Sequence, residues 1–325
     1  MKPTSHKEVL DILEWANSER EPLTIIGHET KVNLGQVTDT KSIINLRAIS
    51  GIEIYDPNEL VITVKAGTPV TEVANILDQN NQYLSFEPPD FGLLLDATKN
   101  AGTIGGLISC NLSGPRRIKS GAARDHFLGF RGISGRGEEF KSGGKVVKNV
   151  TGFDLSKLIA GSFGTLGVMT EVTLRALPKP EKIRTILIQW PTDTVFDASS
   201  INSMMDAICS VNEISGAAFL PSKASCTSKV DLVSRPNCNI TAIRIEGSLL
   251  SVTHRSNVLK KLLKKYGAIE ELHSKNSAIL WQEIRDVSLI EKKSTDLIWK
   301  ISCPPSRSPE IMLNIAKNCK GEAIY

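Results

Sequence analysis

The sequence predicts an α+β protein in two parts, residues 1–178 and 179–325. Three observations carry this. At 325 residues the chain is longer than a typical single domain. Its glycine-dense loops fall between Gly27 and Gly167, and few glycines follow. Between the two textures lies a proline-rich break, LPKPEK, from Leu177 to Lys182.

The elements follow in order. Ser5-His6-Lys7-Glu8 is a capping box ahead of apolar Val9, Ile12, Leu13 and Ala16, which predicts an amphipathic helix. PLTIIG reads as a short buried strand stopped by Gly27. Leu60 to Val64 is strand-like and rich in β-branched residues. Ala66-Gly67 turns the chain, Thr68 is the expected cap and Pro69 the first helical residue, with Val70, Val73, Ala74 and Leu77 on one face. Asp154 caps a short helix that buries Leu155, Leu158 and Ile159 and ends at Gly161. From Val168 to Arg175 the residues alternate, which predicts a strand with one buried side. Beyond the break, Arg184 to Trp190 and Ile240 to Ser248 read as strands. SNVLKKLLKKYG reads as a helix with Val258, Leu259, Leu262, Leu263 and Tyr266 inward and a solvated lysine face. This second part is expected to be a compact α+β domain.

Composition narrows the function classes. The chain is 41% hydrophobic and 23% charged, enough apolar material for a core, and its net charge of +4 is too mild to imply a nucleic-acid partner. The N-terminus is charged throughout and has no apolar signal core, and no window approaches a membrane span. The expected place is the cytoplasm, or the periphery of the inner membrane through partners. Six scattered cysteines, at 110, 209, 226, 238, 303 and 319, read as free and mostly buried thiols. No Cys or His pair has zinc-ligand spacing, so no metal site is expected.

Glycine density is the strongest chemical signal. Without a Cβ the backbone approaches a ligand closely, and successive N–H groups converge on phosphate oxygens. AGTIGGLISCNLSGPRR, from Ala101 to Arg117, carries the densest run, and Ala66-Gly67-Thr68, Ser113-Gly114 and Gly164 to Gly167 repeat the theme. Neither GxxxxGK[ST] nor a GxGxxG opening a helix occurs, so the two common phosphate loops are excluded. A turn-rich connection explains any single cluster, whereas the series favours a large phosphate-bearing cofactor held by backbone.

AGTIGGLISCNLSG, KNVTGFDLSKLIAGSFGTLGVMTEVTLRALPKP and YDPNELVITVKAGTPVTEV together resemble the FAD-binding domain of the vanillyl-alcohol-oxidase or PCMH type. More narrowly, EPPDFG, SGPRRIKSGAARDHFLG, GGKVVKNVTGFDLSKL, LWQEIR and IWKISCPP resemble glycolate oxidase subunits of the GlcE type. The resemblance implies two small sub-domains with non-covalent FAD extended between them. It places Ala66, Gly67, Thr68, Gly102, Thr103, Ile104, Gly105 and Gly106 along the pyrophosphate and ribityl part. Asn111, Ser113 and Gly114 continue that wall toward the flavin, and Leu166, Gly167 and Val168 meet the adenine or flavin edge. Asp96, Thr98 and Arg124 are weaker candidates. One departure stands out: the family's glycine-rich first phosphate loop is Ile26-Gly27-His28-Glu29-Thr30-Lys31 here, which leaves Gly27, Thr30 and Lys31 to bind. The register of His28 does not match the histidine that relatives use for a covalent flavin link.

The resemblance also implies a larger FAD subunit that oxidises glycolate and an iron–sulfur subunit that passes electrons on. A self-sufficient 2-hydroxy-acid dehydrogenase would need a base and a carboxylate clamp. The H-G-[DE]-G-N-like motif of the catalytic subunits has no counterpart at His254 or His273. Arg116 and Arg117 can hold a carboxylate, face a partner or pair with acids, so no catalytic residue is assigned. Two alternatives stay open: the self-sufficient dehydrogenase, and an assembly subunit with a decayed flavin site. The sequence stops at NCKGEAIY in mid-pattern, which reads as truncation or as absence of the family's closing segment.

Overall fold

The computed structural model describes all residues except 36–39, 145–151, 192–197, 211, 294–295, 319–323 and 325. The chain divides into two compact units: residues 1–114 with 120–179, and residues 115–119 with 180–325.

In the first unit, α1 (His6–Ser18) precedes a parallel pair, β1 (Leu23–Ile26) and β2 (Ser42–Asn45). Ser5 caps α1 by accepting from the Glu8 N–H at 3.2 Å. Only half of the expected capping box forms, because the Glu8 carboxylate accepts from Thr4 instead. Then follow β3 (Ile52–Asp56), β4 (Val61–Lys65), α2 (Val70–Gln79), β5 (Gln82–Tyr83), α3 (Ile104–Ser109), α4 (Arg117–Ser120), whose first three residues belong to the second unit, and then β6 (Phe127–Ile133), β7 (Glu139–Gly143), α5 (Leu155–Ile159), β8 (Val168–Arg175) and β9 (Leu177–Pro178). An antiparallel sheet runs in the order β3-β4-β8-β6-β7, and β5 pairs with β9. The strand predicted from Val168 is buried on both faces rather than one. As β8 it sits between β4 and β6, and only Glu171 and Arg175 escape burial.

Two apolar cores fill this unit. One gathers Val9 and Leu13 of α1 with Ile44, Leu46, Ile49, Ile133 and Val168. The larger sets α2 and α3 on the five-stranded sheet through Val73, Leu77, Ile104, Leu107, Ile108, Val172 and Leu174.

The second unit contains β10 (Lys182–Trp190), α6 (Ala198–Ile208), β11 (Gly216–Leu220), α7 (Ser222–Cys226), α8 (Asp231–Ser234), β12 (Asn239–Gly247), α9 (Leu249–Leu263), β13 (Ala268–His273), α10 (Ser274–Arg285) and α11 (Ser308–Asn318). Its antiparallel sheet runs β11-β12-β10-β13. Ile186, Ile188 and Ile243 face α6 and α9 through Ile201, Val252, Leu259 and Leu263. Leu187, Ala218 and Ala242 face α7, α8 and α10 through Ala224, Val233, Leu280 and Trp281. Helices on both faces explain why β12 is buried from Asn239 to Glu246, its polar side chains included.

Among the described residues no helix is long and apolar enough to cross a membrane. The five described cysteines are free, but none is fully buried, and Cys209 and Cys226 are exposed; Cys319 lies outside the described residues. The expectation of mostly buried thiols is corrected, because these residues sit at helix ends and loop edges.

Candidate functional site

The bare stretch after Ala101 folds as a helix, α3, where the sequence suggested open wall. Thr103 caps it by accepting from the Gly106 N–H at 3.2 Å. Ile104, Leu107 and Ile108 follow at helical spacing and are at most 1% exposed. Burying three such side chains contributes on the order of 1.5–3 kcal/mol each. That outweighs the roughly 0.5–1 kcal/mol that each of Gly105 and Gly106 costs a helix.

Packing explains two of the glycines. A Cβ at Gly105 would lie 2.8 Å from the Ala66 carbonyl oxygen, which accepts from the Gly105 N–H at 2.8 Å. A Cβ at Gly67 would lie 2.2 Å from the Leu46 carbonyl oxygen and 2.6 Å from that of Ile49. These positions are bare so that backbone can meet backbone. Thr68 is fully buried and does not cap α2, for which Pro69 is the N-cap; its hydroxyl exchanges hydrogen bonds with the Gly51 N–H and carbonyl. The Thr68 carbonyl accepts from the Ile104 N–H at 2.9 Å, and the Gly102 carbonyl from the Val70 N–H at 2.8 Å. The 66–70 turn and α3 are thereby laced together.

The Gly27–Lys31 loop closes on the same place. A Cβ at Gly27 would meet Thr103 Oγ1 at 2.8 Å. The His28 ring hydrogen-bonds the Ala101 backbone, and its buried Nδ1 has no partner. Burial and the Arg47 charge push the imidazole down from its ordinary range. Glu29 adopts φ +58° and is exposed, so its carboxylate faces outward. Lys31 Nζ donates to Thr30 Oγ1 at 3.1 Å. It stands 3.3 Å from where a Gly102 Cβ would be and 3.9 Å from a Gly106 Cβ. Burial lowers the Lys31 ammonium pKa, against the opposing pull of Cys110 and Asp90. Among the described residues no carboxylate is ion-paired with Lys31. A half-buried ammonium with N–H donors left beyond its bond to Thr30 suits an anion such as the diphosphate of a dinucleotide.

The remaining candidates are placed as follows. Asn111 Oδ1 accepts from the Arg124 N–H, Ser113 Oγ from the Ala123 N–H, and the Gly114 N–H donates to the Phe86 carbonyl. These groups hold the chain after α3 to the next turn. Val168 is buried in β8, Gly167 at φ +154° precedes it, and Leu166 is 49% exposed. The turn before it touches β1, since a Cβ at Gly164 would lie 3.0 Å from Ile25 Cδ1. The Arg124 side chain is exposed. His28 was missed as a participant; its position between Gly27 and Thr30 was the available signal.

Arg116 resolves in favour of pairing with an acid. It is 6% exposed and grips Glu246 with Nε at 2.8 Å and Nη2 at 2.5 Å. Burial pushes the Glu246 carboxyl up, but Arg116 and Arg244 outweigh it and hold the group below the usual carboxylate range. Arg244 lies over the Trp281 ring at 4.3 Å and donates to Ser215. Arg117 is exposed.

The FAD binding domain family matches residues 1–143. Glycolate oxidase subunit GlcE of Escherichia coli K12 is 42% identical over 172 residues, covering 53% of this chain and 47% of that protein. Glycolate oxidase subunit GlcD of Bacillus subtilis is 31% identical over 186 residues, covering 57% and 38%. The match therefore spans less than half the length of either relative. Among solved structures, alkyldihydroxyacetonephosphate synthase superposes with TM-score 0.66 at 18% identity, over 88% of this chain and 58% of that one. p-Cresol methylhydroxylase does so with TM-score 0.62 at 14% identity, over 89% and 62%. At these identities the likeness shows the fold alone.

Proposed function

We propose that this chain, whose first 143 residues belong to the FAD binding domain family, is an FAD-carrying subunit of a glycolate (2-hydroxy-acid) oxidase or dehydrogenase complex. The observation that carries the proposal is the convergence of Gly27–Lys31 with Gly102–Gly106, backed by Ala66–Thr68, at the Lys31 ammonium, which among the described residues has no carboxylate partner. The relatives named as glycolate oxidase subunits supply the substrate class. FAD held there supplies a two-electron acceptor for hydride.

The chain's own residues bind and shield. Lys31 and Thr30 meet the diphosphate, while Gly102 and Gly106 leave room for the Lys31 ammonium, which stands 3.3 and 3.9 Å from where their Cβ atoms would be. Ile104, Leu107 and Ile108 keep that surface rigid by anchoring α3 in the core. No residue here is assigned as base or clamp, because Arg116 is committed to Glu246. Substrate oxidation is accordingly proposed for a larger FAD subunit, with electrons passed to an iron–sulfur subunit.

Visible spectra of the purified chain, before and after adding FAD, test the cofactor reading. Flavin bands that survive desalting are expected, and their absence after FAD addition would sink it. Glycolate should leave the flavin of the isolated chain oxidised; bleaching would establish a self-sufficient dehydrogenase instead.

A further inference from the structure

In the second unit, α7 lies against the chain that leads into β12, and three hydrogen bonds hold the two together. The Ser222 N–H donates to Asn239 Oδ1 at 2.7 Å, the Ser225 hydroxyl to the Cys238 carbonyl at 2.8 Å, and the Cys226 thiol to Asn237 Oδ1 at 3.0 Å. Cys226 is thereby held beside the residue that precedes Cys238, and its neighbour Ser225 is held to Cys238 itself. Two cysteines thus stand at adjoining positions of facing segments, although α8 separates them along the chain. A disulfide joins Cα atoms about 4.4–6.8 Å apart, and it forms only where the fold has already brought two such segments together. The two thiols differ in setting. Cys226 is exposed, whereas Cys238 is half-buried and packs against the core that contains Leu187, Ala224 and Trp281. Burial pushes the Cys238 thiol up, a hydrogen bond with the Trp190 backbone opposes this, and nearby Cys226 pushes it further up. An accessible thiol that attacks, beside a shielded one that resolves, makes the pair that thiol–disulfide exchange requires.

We propose that Cys226 and Cys238 are a modification site of the second unit, closing reversibly to a disulfide by exchange with a low-molecular-weight disulfide such as oxidised glutathione. Cys226 gives up its thiol proton and its sulfur attacks one sulfur of the reagent. The reagent's S–S bond breaks, and the half that leaves takes up a proton as a free thiol. Cys238 then gives up its own proton, attacks the Cys226 sulfur of the mixed disulfide and expels the second half as a thiol. Two protein thiols are oxidised by two electrons, and one reagent disulfide is reduced to two thiols. The new bond closes a covalent loop around α8, whose Val233 shares a core with Ala224 of α7. That loop restricts the unfolded chain as well, so the oxidised form is the more stable one.

The experiment incubates the folded full chain with oxidised glutathione, blocks the remaining thiols with N-ethylmaleimide and maps tryptic peptides without reduction. Trypsin cuts after Lys223, Lys229 and Arg244, so residues 224–229 and 230–244 separate unless a disulfide joins them. The joined pair is expected, and dithiothreitol should part it again. Cys238→Ser is expected to keep glutathione on Cys226, and Cys226→Ser to leave Cys238 unmodified. The urea midpoint of the oxidised chain should exceed that of the reduced chain by about 1 M, with no such rise in either serine variant. Phenylarsine oxide, which bridges two neighbouring thiols, gives a reading on the unaltered chain that needs no variant: it should protect Cys226 and Cys238 from N-ethylmaleimide together. A glutathione adduct that persists on Cys226 of the unaltered chain, or a joined pair that forms only in urea, overturns the proposal.

Discussion

Replacing Arg116 with Met would leave the Glu246 carboxylate, only 7% exposed in its side chain, without its bidentate partner. Removing one member of a buried pair costs about 3–5 kcal/mol, because the remaining charge keeps its desolvation penalty. Arg244, with Nε 3.8 Å from Glu246, and Ser215 keep part of the compensation, which places the loss toward the lower end of that range. With a urea slope of about 2 kcal/mol per M, the midpoint of the second unit should fall by roughly 1.5 M. The assay is urea unfolding followed by tryptophan fluorescence, which Trp281, stacked under Arg244, reports directly. Replacing both partners, Arg116→Met with Glu246→Leu, should recover most of the loss, since an apolar pair of similar volume is often neutral or better. The folded-state pKa of Glu246 lies below its unfolded value. The pair's contribution is thus present above the ordinary carboxylate pKa and is lost as pH falls through the depressed one. A loss under about 1 kcal/mol in the single variant, or none recovered in the double, would refute the assignment of Arg116 to this pair.

Gly67→Ala should destabilise the first unit by about 1–3 kcal/mol or more through contact with the Leu46 and Ile49 carbonyls, whereas Gly135→Ala, with nothing within 4 Å, should be neutral. Paired thermal melts of the two variants decide this. Gly102→Ala puts a methyl group 3.3 Å from Lys31 Nζ, so it should weaken FAD by roughly tenfold without shifting the melt. Fluorescence titration measures it. His126 is fully buried, bonded through Nε2 to the Ser120 carbonyl, and burial holds its pKa below the ordinary value near 6.5. Stability from the neutral ring is therefore present above about pH 6.5 and lost as pH falls below it. The drop in urea midpoint between about pH 7.5 and 5.5 should shrink in His126→Gln.

Local grammar made much of this fold readable. The Asp154 cap appears in the structure, with its carboxylate accepting from the Lys157 N–H at 3.1 Å. The apolar spacing of α1 and of the later half of α9 fixed their buried faces. What failed was context. The flanks of a strand decide whether alternation means one buried face or two, and β8 lies in the middle of its sheet. Glycine density pointed to the right region for a mixed reason. Gly67 and Gly105 meet neighbouring backbone, and Gly102 and Gly106 face the lysine. A sequence does not separate these causes, because each requires only the absence of a Cβ. Arg116 was undecidable because its partner lies 130 residues away.

That separation also sets an order of events during synthesis. At about 5–20 residues per second, Glu246 leaves the ribosome roughly 7 to 26 s after Arg116. Until then residues 115–119 have no counterpart to fold against, although they interrupt a first unit that is otherwise complete by Lys179. A gene cut after Lys179 would strand Glu246 in a product from which its cation had been removed. To divide this protein into expressible halves, residues 115–119 must travel with the second.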